Sequence, residues 1–265
     1  QYRCEFLKNA VGDNPILNRV EFRCRGFEIT QVTANTPEGV TQGQEDIQVT
    51  VTVKNYDPAN DVDVSSIDLL FSLGSYSYVL DSPLPLPFSI AAGGQQDFVF
   101  LVNVNDDSPV GTATVDAVAT ASIGAQTFCD NGADLTHEWE VKRKAELFIQ
   151  QIDTTPLTVN KGQSVRVRML LNNPGGTAYH FDAATLTFSL GTYTQNLDSP
   201  VLPVLIEPGE SLIATFTVFV KPESPSGVAI LDGTATGRNK LSNKIASDTS
   251  ALLTDSWTIQ NPASL

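Results

Sequence analysis

The sequence contains few of the residues that carry out common enzymatic chemistry: its 265 residues include two histidines, three cysteines and one methionine. This leaves little material for zinc sites or histidine-based catalysis. Positive charge is also scarce, with 16 Lys and Arg against 30 Asp and Glu and a net charge of -14. That balance argues against nucleic acid or an anionic membrane surface as the main partner. Because no run of about 18 apolar residues occurs, no membrane insertion is predicted.

A repeated pattern divides the chain into two similar units. Phe71-Ser72-Leu73-Gly74 recurs as Phe188-Ser189-Leu190-Gly191, a shift of 117 positions. Related pairs, at similar shifts, are Leu80–Pro83 with Leu197–Pro200, Asn55 with Asn173, Ser108–Gly111 with Ser224–Gly227, and Trp139 with Trp257. The repeat predicts an N-terminal β segment at 1–26, an acidic first domain at 27–143 and a second domain at 144–265.

Both units have the patterning of β-strands. Residues 47–53 alternate apolar and polar side chains, as do residues 165–169 of the second unit, and a period of two is typical of half-buried strands. Turn signals recur every 8–15 residues, and no stretch shows convincing helical periodicity. We therefore predict an all-β protein made of two tandem antiparallel β-sandwiches, each with about seven or eight strands.

The order of these features resembles the immunoglobulin-like repeats of bacterial and archaeal cell-surface or secreted proteins. A Gly-Gln pair precedes an alternating strand, an Asn-containing turn follows it, and a Ser-Pro-x-Gly turn comes later. The pattern looks most like CARDB and NEW3 modules, with Asn173-Pro174-Gly175-Gly176 closer to it than Asn55-Tyr56-Asp57-Pro58. The resemblance implies an Ig-like fold and an extracellular structural or adhesive role, and it implies no activity.

The first 26 residues have no counterpart in the second unit. They carry 5 basic and 3 acidic residues, whereas residues 27–143 carry 3 and 17 and residues 144–265 carry 8 and 10. Two strand-like stretches within them favour either a hairpin packed on its own domain or a strand donated to the open sheet edge of a neighbouring molecule. The candidates for self-association are Tyr2, Arg3, Phe6, Leu7, Val20 and Phe22.

The three cysteines indicate an oxidising compartment. A hairpin centred near residue 14 would place Cys4 opposite Cys24, which makes a cross-strand disulfide geometrically reasonable. The main alternative pairs Cys24 with Cys129, at the end of a predicted strand. Either pairing leaves one cysteine that is free or joined to another chain.

Two further groups of residues are weak candidates for binding. Asp57, Asn60, Asp61 and Asp63 provide oxygen ligands suited to Ca²⁺ but lack the glycine and final glutamate of an EF-hand loop. Tyr76 and Tyr78 lie on one face of a predicted strand, where exposed rings can stack on sugars and buried rings pack across strands.

The sequence thus predicts an extracellular or cell-surface structural protein that is not an enzyme and needs no cofactor, with Ca²⁺ as the one possible ion. Its expected partner is itself, in a filament-forming subunit, or other cell-surface proteins. The alternative is an adhesin or carbohydrate-binding module pair, with polysaccharide as partner, taken from a larger surface protein.

Overall fold

A computed structural model describes residues 26–83 and 85–262, and every regular element in these residues is a β-strand. The chain divides into two compact units, of which the first ends at Val141 and the second begins at Lys142, with residues 40–44 grouped with the second. The predicted all-β architecture of tandem sandwiches is confirmed. The described part of the chain contains no helix long and apolar enough to cross a membrane.

Among the described residues, the first sandwich has ten strands. They are β1 (Phe27–Ala34), β2 (Val40–Thr41), β3 (Ile47–Asn55), β4 (Val62–Phe71), β5 (Tyr76–Ser82), β6 (Phe88–Ile90), β7 (Gln95–Val104), β8 (Gly111–Ile123), β9 (Gln126–Asp130) and β10 (His137–Lys142).

The second sandwich repeats them in the same order. Its strands are β11 (Phe148–Thr155), β12 (Thr158–Asn160), β13 (Ser164–Asn172), β14 (Tyr179–Phe188), β15 (Tyr193–Ser199), β16 (Val204–Ile206), β17 (Ser211–Val220), β18 (Gly227–Asn239), β19 (Ile245–Asp248) and β20 (Asp255–Gln260).

The two sandwiches have the same topology. In the first, a four-stranded sheet of order β1-β3-β7-β5 faces a six-stranded sheet of order β2-β10-β8-β4-β6, in which β9 also pairs with β8. In the second, the corresponding sheets are β11-β13-β17-β15 and β12-β20-β18-β14-β16, with β19 beside β18. The internal repeat in the sequence is therefore a repeat of strand order as well.

The predicted number of strands, seven or eight in each unit, was too low. The additional strands are short, since β2, β6 and β9 have two, three and five residues. Strands of two or three residues contain too few residues to show an alternating pattern, so β2 and β6 read as parts of loops in the sequence, whereas β9 contains the strand predicted to end at Cys129.

Alternation along the central strands builds the cores. In β3, Val49, Val51 and Val53 are fully buried, and the polar residues between them point outward. Burying a valine side chain contributes about 1.5–3 kcal/mol relative to leaving it in water. Trp139 and Trp257 are 3% and 1% exposed, which confirms the prediction that both belong to the cores.

The repeated Phe-Ser-Leu-Gly motif closes one end of each sandwich. Ser72 pairs with Thr114, whose N–H donates to the serine hydroxyl at 2.8 Å and whose carbonyl accepts from the Ser72 N–H at 3.0 Å. Gly74 has a φ of +109°, and a Cβ there would lie 2.5 Å from the Tyr76 ring. Only glycine fits this position without strain, which explains why the motif ends in glycine.

A buried asparagine organises the equivalent turn in each sandwich. Asn55 has no exposed surface, and its side-chain amide donates to the carbonyls of Asn60, Ile90 and Ala91 at 2.9–3.1 Å. The Asn173 amide donates in the same way to the carbonyls of Thr177 and Ile206. The asparagines satisfy backbone groups that would otherwise be buried without partners.

Candidate functional site

The two tyrosines predicted as sugar-stacking candidates belong to an aromatic cluster of the first sandwich. The Tyr76 ring stacks on Phe71 with centroids 4.1 Å apart, and the Trp139 Nε1–H donates to the Tyr76 hydroxyl at 3.2 Å. Burial raises the pKa of Tyr76. Tyr78 meets Phe100 edge to face at 5.9 Å. The rings therefore pack between strands, and both are half-buried.

The second sandwich has the same cluster with one substitution. Tyr193 stacks on Phe188 at 4.0 Å and accepts a hydrogen bond from Trp257 Nε1 at 3.2 Å. Gln195 occupies the position equivalent to Tyr78, and its side chain bonds both the N–H and the carbonyl of Leu186. Because the residue at this position differs while the cluster is kept, the cluster is part of the shared framework.

The acidic residues predicted as a calcium loop are engaged in local hydrogen bonds. The Asp57 carboxylate accepts the N–H groups of Ala59 at 2.8 Å and Asn60 at 3.0 Å, and these bonds, with one from the Asn60 side chain, lower its pKa. Asp61 accepts the Ala92 N–H at 3.0 Å, and Asp63 is exposed on β4. These contacts fix the turn. They also use carboxylate oxygen atoms of Asp57 and Asp61 as acceptors within the turn.

The structure describes residues 26–83 and 85–262, and their metal-ligating side chains are dispersed. No group of three or more His, Cys, Asp or Glu side chains in this part of the chain is arranged to hold a metal ion. The predicted calcium loop also includes an asparagine, Asn60, which is not one of these four residue types. Calcium binding by the loop therefore stays a prediction, which titration can test.

The candidates for self-association lie outside the described residues, as do Cys4 and Cys24. Of the three cysteines, Cys129 is described: it is exposed on β9, and its sulfur lies 3.7 Å from the Thr120 hydroxyl. The predicted disulfides, Cys4 with Cys24 or Cys24 with Cys129, stay predictions.

Backbone hydrogen bonds cover one edge of each four-stranded sheet. Beside β1, the Val32 N–H donates to the carbonyl of Leu135 at 2.8 Å, and the Asp134 N–H donates to the carbonyl of Ile29. The Asp130 carboxylate accepts the Ile29 N–H at 2.7 Å. In the second sandwich, residues 252–253 and Asp248 make the corresponding contacts to β11. These two edges therefore have little capacity to pair with another strand.

The opposite edges, β5 and β15, have no further strand beside them among residues 26–83 and 85–262. Each is the last strand of its sheet and has seven residues. Within the described ranges, no backbone hydrogen bond to another strand or loop is found on the outer side of either. The other terminal strands are shorter, with two to five residues. Strands β5 and β15 are thus the longest uncovered edges in the two sandwiches.

The two open edges differ in chemistry at equivalent positions. On β5, Val79 is 63% exposed and pairs with Leu101 of β7. Leu101 and Val99 both face outward on β7, so the three side chains form an apolar strip. We call Val79, Leu101 and Val99 the β5 strip. In the second sandwich, the same positions hold Asn196, Thr217 and Thr215.

The polar edge of the second sandwich is also hydrogen-bonded within itself. Asp198 accepts from the Thr217 hydroxyl at 2.6 Å and from the Asn196 amide at 2.9 Å. These bonds lower the pKa of Asp198, with the bond from Thr217 as the larger cause. The β15 edge thus presents a closed polar network where β5 presents aliphatic side chains.

Part of the excess negative charge of the first sandwich lies on the outer face of its six-stranded sheet. Asp63 and Asp68 on β4 and Glu138 and Glu140 on β10 are all exposed there. The equivalent positions of the second sandwich are His180, Thr185, Ser256 and Thr258. Part of the imbalance seen in the sequence is therefore a difference between these corresponding faces.

Sequence reasoning did not identify the β5 strip. Val79 belongs to one repeated segment and Leu101 to another, and their contact is visible only once the strands are paired. The sequence did contain a signal, because Val79 in the first repeat corresponds to the polar Asn196 in the second. Interpreting that difference required the pairing register of the strands.

No family model matches this sequence, and no curated protein matches it significantly. The resemblance to CARDB and NEW3 modules therefore stays a prediction. Among solved structures, it is similar to a protein of unknown function from Porphyromonas gingivalis W83, with 14% identity over 87% of this chain and 98% of the other and a TM-score of 0.32.

Two further solved structures show similar values. The Yersinia pseudotuberculosis adhesin InvE is 12% identical over 89% of this chain and 59% of the other, with a TM-score of 0.27. The C-terminal domain of the Streptococcus agalactiae AgI/II polypeptide BspA is 9% identical over 87% of this chain and 99% of the other, with a TM-score of 0.30. Scores this low assign the chain neither a family nor an activity.

Proposed function

We propose that this chain is an extracellular or cell-surface structural subunit that assembles with further copies of itself and has no catalytic role. The proposal rests on one observation: two features of this duplicated molecule are not the same in both repeats. The basic segment 1–26 occurs once, and the long open sheet edges differ between the two units. Adding a strand to an open edge satisfies unpaired backbone groups with many hydrogen bonds.

The repeated motifs support a structural role because their side chains are used within the fold. Ser72 and Asn55 bond backbone groups, and the aromatic cluster fills the space between strands. Contacts of this kind build a rigid scaffold and leave assembly to the surfaces that are not repeated. The extracellular setting is supported by the predicted cysteine pairing and by the resemblance to Ig-like surface modules.

Electron microscopy and sedimentation velocity of the purified full chain test this function. We expect fibres or an oligomer series whose size increases with protein concentration, because a head-to-tail contact that does not close on itself produces open assemblies. A chain that remains monomeric at every concentration, at low and at high salt, would contradict the proposal.

A further inference from the structure

We propose that β5 in the first sandwich is the acceptor edge, and that residues 1–25 of a second copy add to it as a further strand. This inference rests on the proposed function and specifies its contact. It names one of four terminal strands in the two four-stranded sheets as the acceptor and one segment of the chain as the donor.

Coverage of the other edges excludes β1 and β11. Their outward backbone groups are already bonded to residues 134–135 and 252–253, and a carboxylate occupies one further N–H in each. A donated strand would have to displace these bonds before forming its own, so its net gain there would be small.

The side chains beside the edge favour β5 over β15. A strand added to β5 would place its outward residues next to Val79, which is 63% exposed, and would remove apolar surface of the β5 strip from water. At β15, the same strand would meet Asn196 and Thr217, both already bonded to Asp198. Burying an added strand beside this polar network would stabilise the pairing little, because the polar groups of the network would lose their contact with water.

The donor fits this edge in both pattern and charge. Residues 20–24 read Val-Glu-Phe-Arg-Cys, with apolar residues at alternate positions, and such a strand can present one apolar side to the β5 strip. Residues 1–26 contain two more basic than acidic residues, and the first domain contains 14 more acidic than basic residues. Opposite charges favour this encounter over one with the nearly neutral second domain.

The arrangement of donor and acceptor favours pairing between copies. The N-terminal segment enters the sheet through β1, at one edge, and β5 lies at the other, beyond β3 and β7. With about 4.8 Å between neighbouring strands, the two edges are about 14 Å apart, whereas the three residues from Cys24 to Phe27 of β1 span at most about 11 Å. A donor at one edge and an acceptor at the opposite edge allow each copy to pair with the next in an open series.

Matched substitutions in the full chain test the choice of edge. A lysine on an edge strand opposes strand addition, so Val79→Lys is the test and Asn196→Lys, at the equivalent position of β15, is the control. We expect Val79→Lys to raise the concentration required for half-assembly at least about tenfold, and Asn196→Lys to change it less than about twofold. Circular dichroism and thermal unfolding check that both variants are folded.

A second measurement separates pairing between copies from pairing within one copy. Copies labelled with ¹⁴N and ¹⁵N are mixed, assembled and treated with a carbodiimide, which joins amines to carboxylates without a spacer. Lys8 is the one lysine of residues 1–26, and we expect its cross-links to carboxylates of the first domain to include peptide pairs with one light and one heavy partner. Cross-links that always carry the same label would show pairing within one copy and overturn the inference.

The two hypotheses fail in different ways. If the native chain assembles and Val79→Lys assembles equally well, β5 is not the acceptor, although self-assembly stands. If Asn196→Lys is the variant that abolishes assembly, β15 is the acceptor. If the native chain does not assemble at all, the proposed function fails and the inference fails with it.

Discussion

Gln195 makes in the second sandwich the backbone contact that Tyr78 makes in the first. The Tyr78 hydroxyl donates to the carbonyl of Leu69 at 3.2 Å, and the Gln195 amide donates to the carbonyl of the equivalent Leu186 at 2.8 Å. A phenol and an amide are thus alternative ways of reaching the same strand, and the shared requirement is a hydrogen-bond donor of sufficient length.

This equivalence predicts that Tyr78→Gln is tolerated. We expect the free energy of unfolding to fall by no more than about 1 kcal/mol, whereas Tyr78→Ala, which loses the ring contacts and the donor, lowers it by about 2 kcal/mol. Urea unfolding followed by tryptophan fluorescence measures both. Equal losses for the two variants would show that glutamine does not replace the tyrosine contact.

The buried amide of Asn55 is expected to be among the most sensitive polar positions. Asn55→Ala leaves the carbonyls of Ile90 and Ala91 without that donor, and we expect a loss of about 2–4 kcal/mol in the free energy of unfolding. The control is Gln48→Ala, at an exposed position of β3, where we expect a change within about 0.5 kcal/mol. Thermal and urea unfolding test the pair, and a small effect of Asn55→Ala would contradict its proposed role.

Stability at acidic pH is expected to depend on Asp232. Burial opposes ionisation of this carboxyl, but hydrogen bonds from the N–H groups of Ala251 and Gly233 and from the Ser250 hydroxyl outweigh it and lower its pKa below 3.8. A lowered pKa in the folded state stabilises the fold above the pKa of the unfolded chain, near 3.9. That stabilisation disappears as the pH falls through the folded-state value.

Asp232→Asn should therefore reduce the difference in stability between pH 6 and the acidic range below about pH 4. Glu223→Gln, at an exposed position of the same sandwich, is the control and should leave the difference unchanged. Urea unfolding at a series of pH values gives the two curves. An Asp232→Asn curve parallel to that of the native chain would refute the assignment.

Calcium binding is expected to be weak. Because the Asp57 carboxylate is bonded to the N–H groups of Ala59 and Asn60, an incoming ion would compete with these bonds. We expect calorimetric titration with Ca²⁺ to show no site tighter than about millimolar. A tighter stoichiometric site that Asp57→Asn removes would establish the loop as a calcium site.

Thiol labelling distinguishes the predicted disulfides. If Cys4 pairs with Cys24, iodoacetamide applied without reductant should modify the exposed Cys129 alone. If Cys24 pairs with Cys129, the label should appear on Cys4. Peptide mass spectrometry of the native chain identifies the modified residue, and label on Cys4 would contradict the first pairing.

The duplicated architecture could be predicted from the sequence because turn chemistry is local. Motifs such as Ser108–Gly111 mark the same turns in both units, and alternating valines mark the strands between them. The two tryptophans were likewise recognisable as core residues from their matching positions. Features that are determined by residues close in sequence could therefore be predicted from the sequence alone.

The edge difference and the use of the tyrosines could not be predicted because both depend on strand pairing. Whether the Tyr76 ring meets sugar or Phe71 depends on contacts between strands, and the apolar character of the β5 edge depends on Leu101 lying beside Val79. The calcium-binding capacity of the turn at Asp57 and Asp61 could not be predicted for a similar reason. The sequence shows that carboxylates are present, but it does not show that backbone N–H groups already bond them.

The unlike edges also matter while the chain is being made. Tandem domains of similar sequence are prone to exchange strands with each other during folding, because each offers a template that suits its neighbour's segments. Asn196 and its bonded partners make the β15 edge a poor template for strands that suit Val79 on β5. Divergence at these edge positions therefore helps each nascent sandwich to complete itself with its own strands.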